Sequence, residues 1–497
     1  MVLLASLAAA CGGTDGAGDT DDGSTAIPDT GFNDTTDDAS DTGTEPEADA
    51  ITDIGDNDGP DAPDTTPSNI TISALLPPCG PTTGGTSVIV SGTGFGSGAQ
   101  VQLDGSEPIV GLGTPGSVAF ETPEAATAGR VDVTVIQDSD QNTLANGFYY
   151  HRAVTWQTRT IIPTEFSELI SVGDIDGDGL DDLVQSQQAA VVIQSLADQE
   201  GVFTSTVTNT ACATPSAVLV SDVAGDDVGD IIIGCGTSIQ VIVGADGGGL
   251  TTGPLSATNA SGGNFHLEMA SVDLNGDGTN DLAVRSQGRD TVQVFTNDGT
   301  GAFTPAGEPF ETGDDLTGLR LADFNSDGNP DLMTAHFGLD LVRVRPGNGD
   351  GTFGAPVDSE VPGVQTLSLL DANDDTILDL GVGSNNGSVG ASIYAGNGDG
   401  SFSPLKVVQN GGLISAALLD MDADGLADII VGDGTEFRIY LDALADAPAC
   451  RLTSPIPDAM FALIPGEFNG DGITDVVGFN RNQRVFITAI SQELPAD

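Results

Sequence analysis

The chain has 497 residues and a formal net charge of −61, from 74 acidic against 13 basic side chains. Such a charge repels the phosphates of nucleic acids and the anionic face of a membrane, so no nucleic-acid partner is expected. Arg130 is the first basic residue and Lys406 the only lysine, which leaves no basic patch and no P-loop lysine and argues against phosphoryl transfer.

Residues 1–11 (MVLLASLAAAC) are apolar up to Cys11, and the chain is polar beyond it. This reads as the end of an export signal. Ala8, Ala9 and Ala10 directly before a cysteine resemble the lipobox of bacterial lipoproteins, which implies acylation of Cys11 and an outer-membrane or cell-surface location. Without the anchor the protein would be secreted. The membrane would be met only through the lipid. Residues 12–68 are acid-rich, contain no basic residue and offer nothing from which to build a core. They form an acidic, disordered linker, stretched by its own repulsion, that would hold the folded part away from the surface.

From Asn69 the texture changes. Alternating runs at Thr86–Ser91 and Val131–Val135, set between glycine and proline turns, read as half-buried strands. The opening PPCGPTTGGTSVIVSGTGF and the closing GFYY resemble the IPT/TIG family of immunoglobulin-like β-sandwich domains over residues 69–151. The resemblance implies a spacer or interaction module, in which Tyr149 and Tyr150 pack the closing strand.

Beyond residue 151 a nonapeptide recurs seven times, as DIDGDGLDD from Asp174, DVAGDDVGD from Asp222, DLNGDGTND from Asp273, DFNSDGNPD from Asp323, DANDDTILD from Asp371, DMDADGLAD from Asp420 and EFNGDGITD from Glu467. Successive starts lie 47 to 51 residues apart, a period that points to propellers or solenoids. Around each loop come an apolar run, a second apolar run, an alternating strand and a glycine-rich turn into a fourth strand. Four strands per unit make one propeller blade. The seventh unit ends after three strands, whereas an unassigned strand, VTWQTRTII, precedes the first loop. That N-terminal strand is expected to complete the last blade, which makes Trp156 a blade-packing residue. Phe203, Phe303, Phe353 and Phe402 recur after the turns and read as structural wedges. These units resemble the FG-GAP and VCBS repeats of integrin α heads and bacterial surface proteins, and the resemblance implies a seven-bladed β-propeller over residues 152–497. The fold class expected is all-β.

Acids at positions 1, 3, 5 and 9 with glycine at 6 can wrap oxygen atoms around a hard cation, with the carbonyl at position 7 adding another, as in EF-hand loops. Oxygen-only ligation favours calcium. The candidate ligands are Asp174, Asp176, Asp178 and Asp182, with the Leu180 carbonyl; Asp273, Asn275, Asp277 and Asp281; Asp323, Asn325, Asp327 and Asp331; Asp371, Asn373, Asp375 and Asp379; Asp420, Asp422, Asp424 and Asp428; and Glu467, Asn469, Asp471 and Asp475. The second loop carries Ala224 at position 3 and Asp227 in place of the glycine, so little binding is expected there. Thr376 replaces the glycine of the fifth. About six calcium sites, mainly structural, follow. A halophile would also be acidic, but its acids would spread over the surface rather than recur in loops.

Cys79, Cys212, Cys235 and Cys450 are even in number and suit an oxidising compartment. Cys212 and Cys235 flank a short strand pair, which favours joining them and leaves Cys79 with Cys450, although three pairings are open. The function expected is a monomeric, calcium-stabilised surface binding or adhesion protein recognising an extracellular protein or glycan. The alternative is a lyase or hydrolase acting on extracellular polysaccharide. The three histidines are scattered and no GxSxG or HExxH is present, so no catalytic residue is assigned.

Overall fold

A computed structural model describes residues 69–497, apart from residues 153, 162–169, 188–190, 199, 213–214, 258–267, 287–290, 314, 385–389, 410–414, 433–436, 446–449, 454–459, 481–484 and 494–497. The segment 1–11 with Cys11, the linker 12–68 and the side chain of Trp156 lie outside the described residues. Every regular element described is a β-strand, in keeping with the short alternating runs. No described helix is long and apolar enough to cross a membrane.

Residues 69–151 fold into two sheets. One orders Thr71–Leu76, Ser87–Thr93, Ser117–Glu121 and Leu112–Thr114; the other orders Cys79–Pro81, Asp140–His151, Gly129–Gln137, Gln100–Leu103 and Ile109–Val110. Strand side chains alternate between faces, so Val88 and Val90 are fully buried between the sheets while Ile89 is exposed. They pack with Val101, Val118, Val133 and Val135 into the sandwich core. Phe148 and Tyr150 enter this core from the last strand, their rings edge to face at 5.0 Å. Tyr149, between them, points the other way into a separate cluster with Met421, Leu441 and Cys450. The expected closing-strand packing therefore describes Tyr150, whereas Tyr149 packs against the repeat region.

The remaining seven sheets among the described residues are four-stranded and antiparallel. The fourth is typical, with strands Leu316–Ala322, Asp331–His336, Leu341–Arg345 and Val357–Glu360 in sequence order. Its second strand, DLMTAH, is buried at every position. The equivalent strands DIIIG and DIIVG, also buried at every position, read as apolar runs after the first acid because neighbouring sheets cover both their faces. The fourth strand of the first sheet, Thr204–Asn209, lies on the outside and is mostly exposed. The first strands of successive sheets touch, and Ile170–Gly173 also touches Met460–Gly466, so the row closes into a propeller.

The strand Val154–Ile161 completes the last sheet. It pairs antiparallel with Val485–Glu493, Trp156 standing opposite Ser491, and lies outermost beside three C-terminal strands. Cys79 is joined to Cys450, with Cα atoms 5.5 Å apart, and Cys212 to Cys235, at 5.3 Å.

Candidate metal-binding loops

Each nonapeptide links the first and second strands of one sheet, so all seven loops share one construction. The acid at position 1 folds back on the loop. Asp174 Oδ1 accepts the Gly177 amide at 2.7 Å and Oδ2 the Gly179 amide at 2.9 Å. Asp273 repeats this with Gly276 (2.7 Å) and Gly278 (2.9 Å). Two residues per loop, positions 4 and 6, take positive φ, although only position 6 stands out in the sequence pattern. Ser326, Asp374 and Ala423 occupy position 4 at φ of 59°, 61° and 56°, and Asp227 and Thr376 occupy position 6 at 66° and 72°. Non-glycine residues are strained in this region, most of all a β-branched one.

The second loop is an internal control. It lacks an acid at position 3, yet Asp222 Oδ1 accepts the Gly225 amide (2.7 Å) and Oδ2 the Asp227 amide (2.9 Å), as in its neighbours. The bonds from backbone amides to the first acid are thus common to loops with and without a ligand residue at position 3.

The ninth position, a candidate ligand, also braces the sheet. Asp182, Asp230, Asp281, Asp331, Asp379, Asp428 and Asp475 are all fully buried. In Asp331, Oδ2 accepts the Phe324 amide at 2.9 Å and Oδ1 the Gly347 amide at 2.7 Å, which ties the loop to the end of the third strand. Asp182 clamps Ile175 (3.0 Å) and Ala197 (2.9 Å), and Asp379 clamps Ala372 (3.0 Å) and Gly396 (2.9 Å). The sequence pattern marks these acids but not their partners, because one partner lies about fifteen residues further on.

Carboxylates converge most closely in two loops. Asp174, Asp176 and Asp178 each offer an oxygen within 4.8 Å of the others, and so do Asp420, Asp422 and Asp428. Burial, helped by neighbouring charges, pushes several acids of these two loops up, Asp176 among them. Asp182 rises to about 7 through burial. Asp422 rises to about 7 through burial and the adjacent Asp424, and burial holds Asp428 well above the ordinary carboxylate range. In the third and fourth loops position 3 is Asn275 or Asn325, and the acids at position 5 move the other way. The Thr279 hydroxyl lowers Asp277, and the Asn329 amide lowers Asp327. Asn325 turns its amide nitrogen to Asp327 Oδ2 at 2.9 Å. In the fifth and seventh loops the Asp375 amide bonds Asn373 Oδ1 (3.0 Å) and the Asp471 amide bonds Asn469 Oδ1 (3.1 Å).

The donor set is hard oxygen throughout, and Asp422 Oδ1 is buried with no hydrogen-bond partner. An unsatisfied buried carboxylate oxygen beside two further acids fits a divalent oxygen-seeking cation.

The loops also join neighbouring sheets, through contacts the sequence does not announce. Position 8 reaches the carbonyl of position 1 in the preceding loop. The Gly229 amide bonds Asp174 O at 2.7 Å, Asn280 Nδ2 bonds Asp222 O at 2.9 Å, and Thr474 Oγ1 bonds Asp420 O at 2.9 Å. Asp181 and Glu467 close the ring, with the Asp181 amide on Glu467 O (2.7 Å) and the Glu467 amide on Asp181 Oδ2 (2.9 Å). The repeated phenylalanines sit at the same seams. Phe203 meets Phe468 edge to face at 5.4 Å, and Phe402 meets Phe324 at 5.9 Å.

Residues 71–150 match the IPT/TIG domain model, and residues 273–334 match the FG-GAP-like repeat model. No curated protein matches by sequence. Among solved structures the chain is similar to BBS1N in complex with ARL6DN, at 12% identity and a TM-score of 0.46, covering 70% of this chain and 98% of that one. It is similar to a lectin of Agrocybe aegerita that recognises non-reducing terminal N-acetylglucosamine, at 17% identity and 0.43, covering 73% and 92%. An auxiliary nutrient binding protein of Bacteroides ovatus is similar at 12% identity and 0.36, covering 86% and 99%. The chain thus carries an IPT/TIG domain followed by FG-GAP-like repeats on a propeller-type scaffold.

Proposed function

We propose that this chain is a calcium-stabilised, non-enzymatic binding protein held at a bacterial cell surface through lipid on Cys11. The observation that supports it best is the convergence of Asp174, Asp176 and Asp178 within 4.8 Å, in a loop that Asp174 and Asp178 also brace by accepting backbone amides. When bound, calcium neutralises such acids and fixes the loop. Loops repeated in every sheet serve the scaffold, which leaves its broad faces for recognition.

A protein partner is favoured over a glycan. Tyr149, Tyr150 and Tyr394 are buried, and Tyr440 is half-buried with its hydroxyl on Gln409 at 2.8 Å. Tyrosine is thus not on offer to stack against a sugar ring. The test runs a glycan array beside a pull-down from envelope extracts, with calcium present and chelated. The expected result is a calcium-dependent protein partner. Turnover of an extracellular polysaccharide by the purified chain would overturn the non-enzymatic reading.

A further inference from the structure

The sixth loop differs from the others in being covered by the IPT/TIG domain. Asp422, at position 3, is buried, where Asp176, Asn275 and Asn325 are half-buried and Asn373 is exposed. Its cover comes from the end of the strand Asp140–His151. The Tyr149 hydroxyl donates to Asp424 Oδ2 at 2.5 Å and lies 3.4 Å from Asp422 Oδ2, which also accepts the Arg152 amide at 3.1 Å. Arg130 lies over the Tyr149 ring, 5.6 Å from its centroid, and its Nε donates to Asp442 Oδ2 at 2.5 Å. The Asp442 amide in turn holds Asp428 Oδ1 at 2.8 Å. The Cys79–Cys450 disulfide fastens the same seam.

This arrangement buries like charges against a phenol. Asp420, Asp422 and Asp428 each have one oxygen within 4.8 Å of the others, and Asp422 Oδ1 is buried with no hydrogen-bond partner among the described residues. Arg130, at this seam, pairs with Asp442. Burying an unpaired carboxylate beneath a docked domain is costly without a compensating positive charge.

We infer that the sixth loop is an interdomain cation site, in which a hard divalent ion held by Asp420, Asp422 and Asp428 is the condition for the IPT/TIG domain to stay docked, with Tyr149 and the Arg152 amide as its lid. The inference rests on the calcium reading of the loops. Because a ligand that binds only the docked state stabilises that state, calcium and docking strengthen each other. The first, third, fourth and fifth loops, whose third position is half-buried or exposed, are expected to lose calcium without affecting the junction.

The test uses the full chain, with Cys79 and Cys450 both changed to serine so that docking is not held covalently. Calcium is the probe, and hydrogen exchange is followed in residues 140–152 and 420–442. Chelation is expected to speed exchange at both segments by about tenfold or more. Asp422→Asn is expected to do the same at saturating calcium, and Asp277→Ala is not. Tyr149→Phe is expected to weaken one calcium site severalfold and leave the others alone. If calcium binds and tightens the propeller while exchange at 140–152 ignores both chelator and Asp422→Asn, the junction inference is overturned and the calcium reading stands. If no calcium binds at all, both are overturned.

Discussion

Asp331 is buried, with each carboxylate oxygen on a different backbone amide, at 2.9 Å from Phe324 and 2.7 Å from Gly347. Hydrogen bonds to a charged group are worth roughly 1.5–3 kcal/mol each, and the amides left behind pay a desolvation cost as well. Asp331→Ala is therefore expected to cost about 3 kcal/mol or more, read as a lower denaturant midpoint, with or without calcium. The opposite effect is expected at Thr376, whose φ of 72° suits glycine. Thr376→Gly should stabilise by about 1 kcal/mol, and an unchanged or lower midpoint would show that the loop has no strain to release. The raised acids set a pH dependence. Asp182 and Asp422 sit at about 7 in the folded chain without metal, against about 4 when unfolded. The folded state then binds more protons between these values, so stability falls as pH rises through 7. The chelated protein should melt higher at about pH 5.5 than at about pH 8. With calcium the order should reverse, since protons then compete with the cation.

At the level of single elements, the strand Val154–Ile161 carries the most consequence for its length. It pairs along its whole extent with Val485–Glu493 and joins the two ends of the ring. A chain beginning at residue 162 would leave that partner as a bare edge, which invites intermolecular pairing. A chain beginning at residue 152 keeps the strand, and both carry Cys450→Ser because Cys79 is lost with the IPT/TIG domain. Light scattering should find the first aggregating more than the second, and equal behaviour of the two would refute the closure. A buried ion cluster holds the other side of the ring. Glu268 pairs with Arg320 at 2.7 Å and with Arg285 at 3.5 Å, while Arg320 Nη2 donates to Leu367 O at 2.8 Å, linking the third, fourth and fifth sheets. Glu268→Ala removes the carboxylate shared by buried Arg285 and half-buried Arg320 and is expected to cost about 3 kcal/mol, measured by equilibrium unfolding.

For the whole molecule the governing quantity is charge. The chain carries a net −61, much of it on the folded part, which therefore repels itself, and up to six loops offer a place where divalent cations would offset that repulsion. A ligand bound only by the native state adds about 2.7 kcal/mol per site at a hundredfold excess over its dissociation constant. Chelation should thus lower the melting temperature by roughly ten degrees or more, with protease cuts appearing first in the propeller. Elemental analysis should find at least about three calcium ions per chain. A melting curve indifferent to chelator, with fewer ions bound, would mean that the acids serve solubility and that the clamps at position 9 hold the blades unaided.

Period and alternation are local properties, and what they specify is legible in the sequence alone. The nonapeptide spacing marked the repeating four-stranded sheets. The orphan strand ahead of Asp174 marked the closure, and the glycine and proline turns around Ser87–Thr93 marked the sandwich. What stayed hidden depends on groups far apart in the chain. The nonapeptide shows an acid at Asp331 but not that the Gly347 amide is its partner. It shows Asp420 but not that Thr474, 54 residues on, bonds its carbonyl. Alternation separates Tyr149 from Tyr150, yet cannot say that one faces a sandwich core and the other a loop 275 residues away. Those partners are decided by packing, because a buried polar group takes whichever donor the assembled sheets bring within reach.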